Sequence, residues 1–211
     1  MHSSIVDGER LFPQTSYSRI QETESNVNGA MTKSTARKVE RIAKSQGYDD
    51  FKWINPKDVV TANWVRMKCQ YGCPDFGRRG CCPPEVPSVA ECSKFFDEYK
   101  LGLLLHSAIK FNDPKLRFRW GREMQKKAVA FEREVFLADF PKAFVFSPAP
   151  CDLCADCPGN KRECKQPRTA RPSLEAFSVD VYSTARKVGY PIHVLKGYRE
   201  EMNRFGLLLI Q

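Results

Sequence analysis

The chain has 211 residues, enough to bury a real hydrophobic core in one domain, so it does not need cross-links to fold. Apolar residues at 42% and aromatics at 11% exclude an intrinsically disordered chain. Lys and Arg outnumber Asp and Glu by 34 to 25, a formal charge of +9 that favours an acidic partner, although the two signs are interspersed and dilute the bias.

Residues 1–34 are polar, lack periodicity and end in turn chemistry, which predicts a flexible tail ahead of one domain over 35–211. No apolar h-region of a signal peptide is seen there, and Met31, just before the first helical pattern, is a possible alternative start. The longest aliphatic runs, 101–105 and 207–210, have strand length and are far too short to cross a bilayer. A cytoplasmic, reducing setting is therefore expected, in which clustered cysteines act as metal ligands or catalysts.

A first helix is predicted over 35–46, capped by Ser34, with Ala36, Val39, Ile42 and Ala43 on its apolar face and Gly47 ending it. A strand follows at 51–54, then a Gly- and Pro-rich cysteine loop at 69–84. Ser88 and Glu91 form a capping box for a helix to about residue 99. The run 101–108 reads as a buried strand. Asp113-Pro114 opens a long helix to about residue 139, whose core face is Met124, Ala128, Phe131, Val135 and Ala138. A strand at 143–147 leads into a second cysteine loop. A helix starting at Ser178 or Asp180 ends at Gly189, and strands at 192–196 and 205–210 close the chain. The order predicts an α/β or α+β domain, a mixed sheet flanked by helices, carrying two Cys-rich loops.

Nine cysteines is an odd number, and eight of them fall in two tight groups, whereas disulfides usually spread out to close loops. Cys151, Cys154, Cys157 and Cys164 form C-x2-C-x2-C-x6-C. Two-residue gaps let successive sulfurs turn around one centre, as ferredoxin loops do for a cubane. Four buried thiols in so polar a loop, with Asp152, Asp156, Asn160 and Lys161, would serve no packing purpose. Zinc is the competing metal, although its sites more often use two separated C-x2-C pairs.

The other group is looser: Cys69, Cys73, Cys81 and Cys82, with Gly72, Gly77 and Gly80 permitting close backbone approach and Pro83 and Pro84 fixing the exit. Side chains of adjacent residues diverge, so only one of Cys81 and Cys82 is expected to ligate. Arg66, Lys68, Arg78 and Arg79 are expected to lower the nearby thiol pKa values. Cys92 falls at helical spacing with Val89, Phe95 and Phe96 and reads as a small core residue.

His106 and His193 lie in aliphatic strand patterns and read as core or rim residues. The chain has no H-E-x-x-H, G-x-S-x-G, P-loop or dinucleotide fingerprint, and Phe76 stands where a C-x3-C-x2-C motif would need its third Cys. No catalytic residues are assigned. Arg117, Arg119, Arg122, Lys126 and Lys127 read as a solvated helix face without interleaved aromatics, so neither nucleic acid nor membrane is an expected partner.

Both loops together resemble a known family. The residues that carry the resemblance are Arg66 to Cys69, Cys73, Phe76-Gly77 and Cys82-Pro83-Pro84, then Pro150-Cys151, Cys154, Cys157, Cys164 and Pro167, then Arg171-Pro172-Ser173-Leu174-Glu175-Ala176 and Val179-Asp180-Val181. The chain is similar over about 35–211 to the DUF2284 family, predicted metal-binding proteins of anaerobic bacteria and archaea. It departs from the pattern at Phe76, where Tyr is usual, at Phe177-Ser178, where a small residue precedes Gly, and at Cys81, which is extra. The resemblance implies bound metal and no established reaction.

The metal ligands expected are thus Cys69, Cys73 and Cys82 for one group and Cys151, Cys154, Cys157 and Cys164 for the other. The expected cofactor is one or two iron–sulfur clusters of [4Fe–4S] type, with zinc as the alternative. Electron transfer or supply to an acidic redox protein or partner enzyme is the first functional reading. An enzyme with an open iron on the first loop, and a zinc-stabilised interaction module, are the alternatives.

Overall fold

The computed structural model describes residues 32–111, 113, 115–197 and 199–211. The expected tail up to residue 31, the alternative start at Met31 and the helix-opening Pro114 lie outside the described residues. The elements in chain order are α1 (Lys33–Ser45), β1 (Phe51–Ile54), a 3-10 turn (Pro56–Asp58), α2 (Asn63–Gly72), α3 (Val89–Asp97), β2 (Gly102–Ile109), α4 (Leu116–Leu137), β3 (Phe144–Phe146), α5 (Val181–Lys187) and β4 (Met202–Leu209).

Helix α1 starts two residues before the predicted 35, because Thr32 takes the capping role given to Ser34. The Thr32 hydroxyl accepts from the Thr35 amide at 3.2 Å, and Lys33 and Ser34 are already helical. Gly47 ends the helix with φ of 72°. The predicted capping box of α3 is present in both directions, Ser88 with Glu91. Asp180 caps α5 by accepting from the Ser183 amide at 3.0 Å. Ser178, the other starting point considered, has φ of 62° and lies outside the helix.

The four strands run in the spatial order β1-β2-β4-β3, and each neighbouring pair is antiparallel. The sheet is therefore not mixed as expected. Strands β2 and β3, joined through α4, point the same way, but β4 inserts between them and pairs with both. The one parallel pairing among the described residues is an isolated bridge, Ser147 to Ser173. The predicted strand at 192–196 does not form. The carbonyl of Ile192 is taken by the Arg186 guanidinium at 3.0 Å, and the segment joins no ladder.

Alternation along the strands divides the core. Leu103, Leu105, Val145, Leu208 and Ile210 face α1 and α4, where Val39, Ala43, Ala128, Phe131 and Val135 pack against them. Leu104, Phe146, Phe205, Leu207 and Leu209 face the opposite way, toward α3, α5 and the segment 174–192. The result is a three-layer α+β domain with both sheet faces covered. No helix among the described residues is long and apolar enough to cross a membrane.

Candidate metal centre

Helix α2 delivers the first cysteines. Its last turn carries Cys69, and the Cys73 amide donates to the Cys69 carbonyl at 3.3 Å as the helix ends. The predicted cysteine loop thus begins inside a helix. Successive turns then coil the chain back. Phe76 N–H donates to Cys73, Arg78 to Asp75, Cys82 to Arg79 and Glu85 to Cys82, and Gly77, with φ of 71°, donates to Pro83 at 3.0 Å. This coiling returns Cys82 to the neighbourhood of Cys69 and Cys73. Those are the three residues expected to act together. Cys73 is exposed, while Cys69 and Cys82 are half-buried.

Cys151, Cys154, Cys157 and Cys164 line one cavity, as their spacing implies, together with Arg79, Gly80, Leu153, Pro158, Lys165 and Gln166. Cys81 lines it too, which the sequence reading did not foresee. Counting the part open to solvent, the space between atoms there is about 350 Å³. All nine cysteines are free thiols.

The two loops are locked to each other. The Arg79 guanidinium donates to the Cys151 carbonyl and to Asp152, each at 2.7 Å, and Arg122 of α4 grips the other oxygen of Asp152 at 2.9 Å. The Lys161 amide donates to Glu85 at 2.9 Å. Gly80 packs so closely that a Cβ there would stand 2.8 Å from the Asn160 carbonyl oxygen. Behind the loops, Arg171 forms a two-pronged pair with Glu132 of α4, and Glu132 also accepts from the Val145 amide at 2.7 Å. Arg171 opens the run 171–176 that carries part of the family resemblance, and this pair fixes that run against the sheet.

Burial raises the pKa of the Cys69 thiol, with the neighbouring Cys73 adding and Arg66 opposing. It pushes Cys82 up to about 12 despite Arg79. The expected net lowering by basic neighbours is therefore overturned for these two. Desolvation outweighs the charges, since Arg66 is spent on Ser178 and Pro87 and Arg79 on Asp152. Cys81 and Cys151 line the same cavity, and their interaction lowers the pKa of Cys151 and, with burial, raises that of Cys81.

Cys92 has no solvent exposure and packs in the core beneath α3 with Phe96, its Sγ 3.5 Å from the Pro87 carbonyl. His106 is bound on both nitrogens, to Asp50 at 2.5 Å and Asn203 at 2.7 Å, and stacks on Phe205. Both positions agree with the core or rim role expected of them.

Among the described residues, no three His, Cys, Asp or Glu side chains stand close enough to hold one metal ion. Tetrahedral zinc on thiolates needs sulfurs about 4 Å apart, whereas a cubane's ligand sulfurs stand roughly 6–7 Å apart. The cavity is lined by five Cys and no His, Asp or Glu, a soft donor set that suits an iron–sulfur cluster and zinc alike. By donor type, the residues present fit either group.

No curated protein and no solved structure matches the chain. The family described as predicted metal-binding protein (DUF2284) matches residues 52–210, a span that includes both cysteine groups, the α4–Arg171 support and β1 through β4. The chain belongs to the DUF2284 family of predicted metal-binding proteins.

Proposed function

We propose that this protein holds iron–sulfur clusters of [4Fe–4S] type on its two cysteine groups and uses them to pass electrons to or from a partner. The observation that carries this is the one cavity that Cys151, Cys154, Cys157 and Cys164 share, whose lining holds no competing carboxylate or imidazole. A bound cluster supplies one-electron chemistry. The chain's own part is to hold sulfurs in place through the Arg79–Asp152–Arg122 clamp and to set cations, Arg79 and Lys165, beside an anionic centre. The net charge of +9, lowered to about +6 by a four-thiolate centre of −2 and a three-thiolate centre of −1, favours an acidic redox partner in the cytoplasm.

A second reading, catalysis at the first centre, has an observation in its favour. That group offers three thiols, and one of them, Cys73, is exposed, which matches the pattern of a metal with an open position. Anaerobic purification tests the proposal. Iron with acid-labile sulfide and broad visible absorption is the expected outcome, and stoichiometric zinc without sulfide would defeat it. A change in the cluster's EPR signal on adding a substrate would favour the catalytic reading over electron transfer.

A further inference from the structure

Cys81 stands apart from the pattern by which the other ligands were chosen. It is 4% exposed, and a cysteine so buried in an ordinary core touches apolar side chains, as Cys92 does. Cys81 belongs to neither apolar cluster of the described residues. It lines the cavity that Cys151, Cys154, Cys157 and Cys164 share.

The backbone puts it there by design of the loop contact. Arg79 is bonded to the Cys151 carbonyl at 2.7 Å, and Gly80, lacking a side chain, slides against Asn160. Those two contacts leave Cys81 in the wall of the cavity that Cys151 also lines. The turn closed by the Cys82 amide on the Arg79 carbonyl, at 3.0 Å, then sends Cys82 toward Cys69 and Cys73. Adjacent residues do diverge, as the sequence suggested, but each arrives at a thiol group.

We infer that Cys81 is a ligand of the second centre, so that the Cys81–Cys82 dipeptide gives one thiolate to each centre. The second centre then draws on five thiols for four positions, and the two centres are joined by one peptide unit, with Cα atoms about 3.8 Å apart. This inference rests on the reading of both loops as metal centres. It reverses the expectation that Cys81 is an extra.

The test compares Cys81→Ser, Cys82→Ser and Cys92→Ser with the wild-type full chain, all purified anaerobically. Iron, zinc and sulfide per chain are measured, with EPR after dithionite reduction. Cys81→Ser should lose roughly half the metal, or keep it with an altered signal if a neighbouring thiol takes the position. Cys82→Ser should leave the signal missing from Cys81→Ser intact, and Cys92→Ser should match wild type. Wild-type metal content and an unchanged spectrum in Cys81→Ser would overturn the inference. So would equal losses in Cys81→Ser and Cys92→Ser, because loss of any buried thiol would then explain the effect. Zinc in place of iron would end the cluster proposal but leave this test standing, read as zinc per chain. A wild-type chain with no metal would overturn both.

Discussion

Two buried cysteines, chemically identical, have opposite surroundings. Cys92 packs within an apolar cluster, with the Pro87 carbonyl and the Arg66 guanidinium at its edge, so its sulfur does the work of a small core group. Replacing it with Ala should leave metal content unchanged and cost about 1 kcal/mol for the small cavity, read as a modest shift in a denaturation midpoint. Loss of iron equal to that of Cys82→Ala would instead make Cys92 a remote ligand. Ser178 shows another residue answering to its setting. It holds a left-handed φ of 62° where the family pattern has Gly, and its hydroxyl accepts from the Arg66 Nε at 3.1 Å and Nη2 at 2.9 Å. Those two charge-assisted bonds offset a backbone conformation that costs a non-glycine residue about 1 kcal/mol. Arg66 in turn donates to the Pro87 carbonyl, so one guanidinium ties α2 to the segments at Pro87 and Ser178.

Between elements, the tightest junction is the loop contact at Gly80. A methyl group there would press on the Asn160 backbone at 2.8 Å from its oxygen and 3.0 Å from its carbon, neither of which can swing aside as a flexible side chain could. Gly80→Ala should therefore push the loops apart, lower metal content at the second centre, and leave the sheet's far-UV signal in place. Full metal retention would show the contact to be looser than drawn. This junction, like α2, could not be read from the chain alone. Helix α2 buries only Val65 and leaves Trp64, Met67 and Tyr71 exposed, and Ala62 offers no capping side chain, so neither the apolar period nor the cap signalled a helix. Of the helices that were legible, α1, α3 and α4 each carry a regular buried stripe, and α5 has its Asp180 cap. The C-x2-C-x2-C run announced its own grouping because its ligands are near in sequence. Cys81 did not, because its partners lie some seventy residues away and only the Arg79 and Gly80 contacts bring them together. The run at 192–196 misled for the converse reason: it looks apolar enough to be a strand, but no neighbouring edge receives it.

At the scale of the molecule, the cysteine loops and the apolar cores are largely separate. The two clusters that flank the sheet include Cys92 and no proposed ligand. Metal removal by anaerobic chelation should thus lower the melting temperature without abolishing the fold. A centre that contributes about 3 kcal/mol would shift Tm by roughly 6–12 °C in a chain of this size. Unchanged far-UV dichroism with a lower Tm is the expected result, and complete unfolding on chelation would mean that the loops support the core far more than their contacts suggest.

The placement of β4 bears on how the protein is made. It is the last strand in chain order, yet it occupies an interior position, pairing Leu104 of β2 with Leu207 and Val145 of β3 with Leu208. As the chain leaves the ribosome, β3 has no partner at all until β4 arrives, and β2 has only β1. Pairings of such long range form slowly, and the leucine-rich edge of β2 is open to wrong partners meanwhile. Both cysteine groups, from Cys69 to Cys164, emerge before that closing strand. If metal reaches those thiols on the nascent chain, it can organise the loops before the sheet is closed.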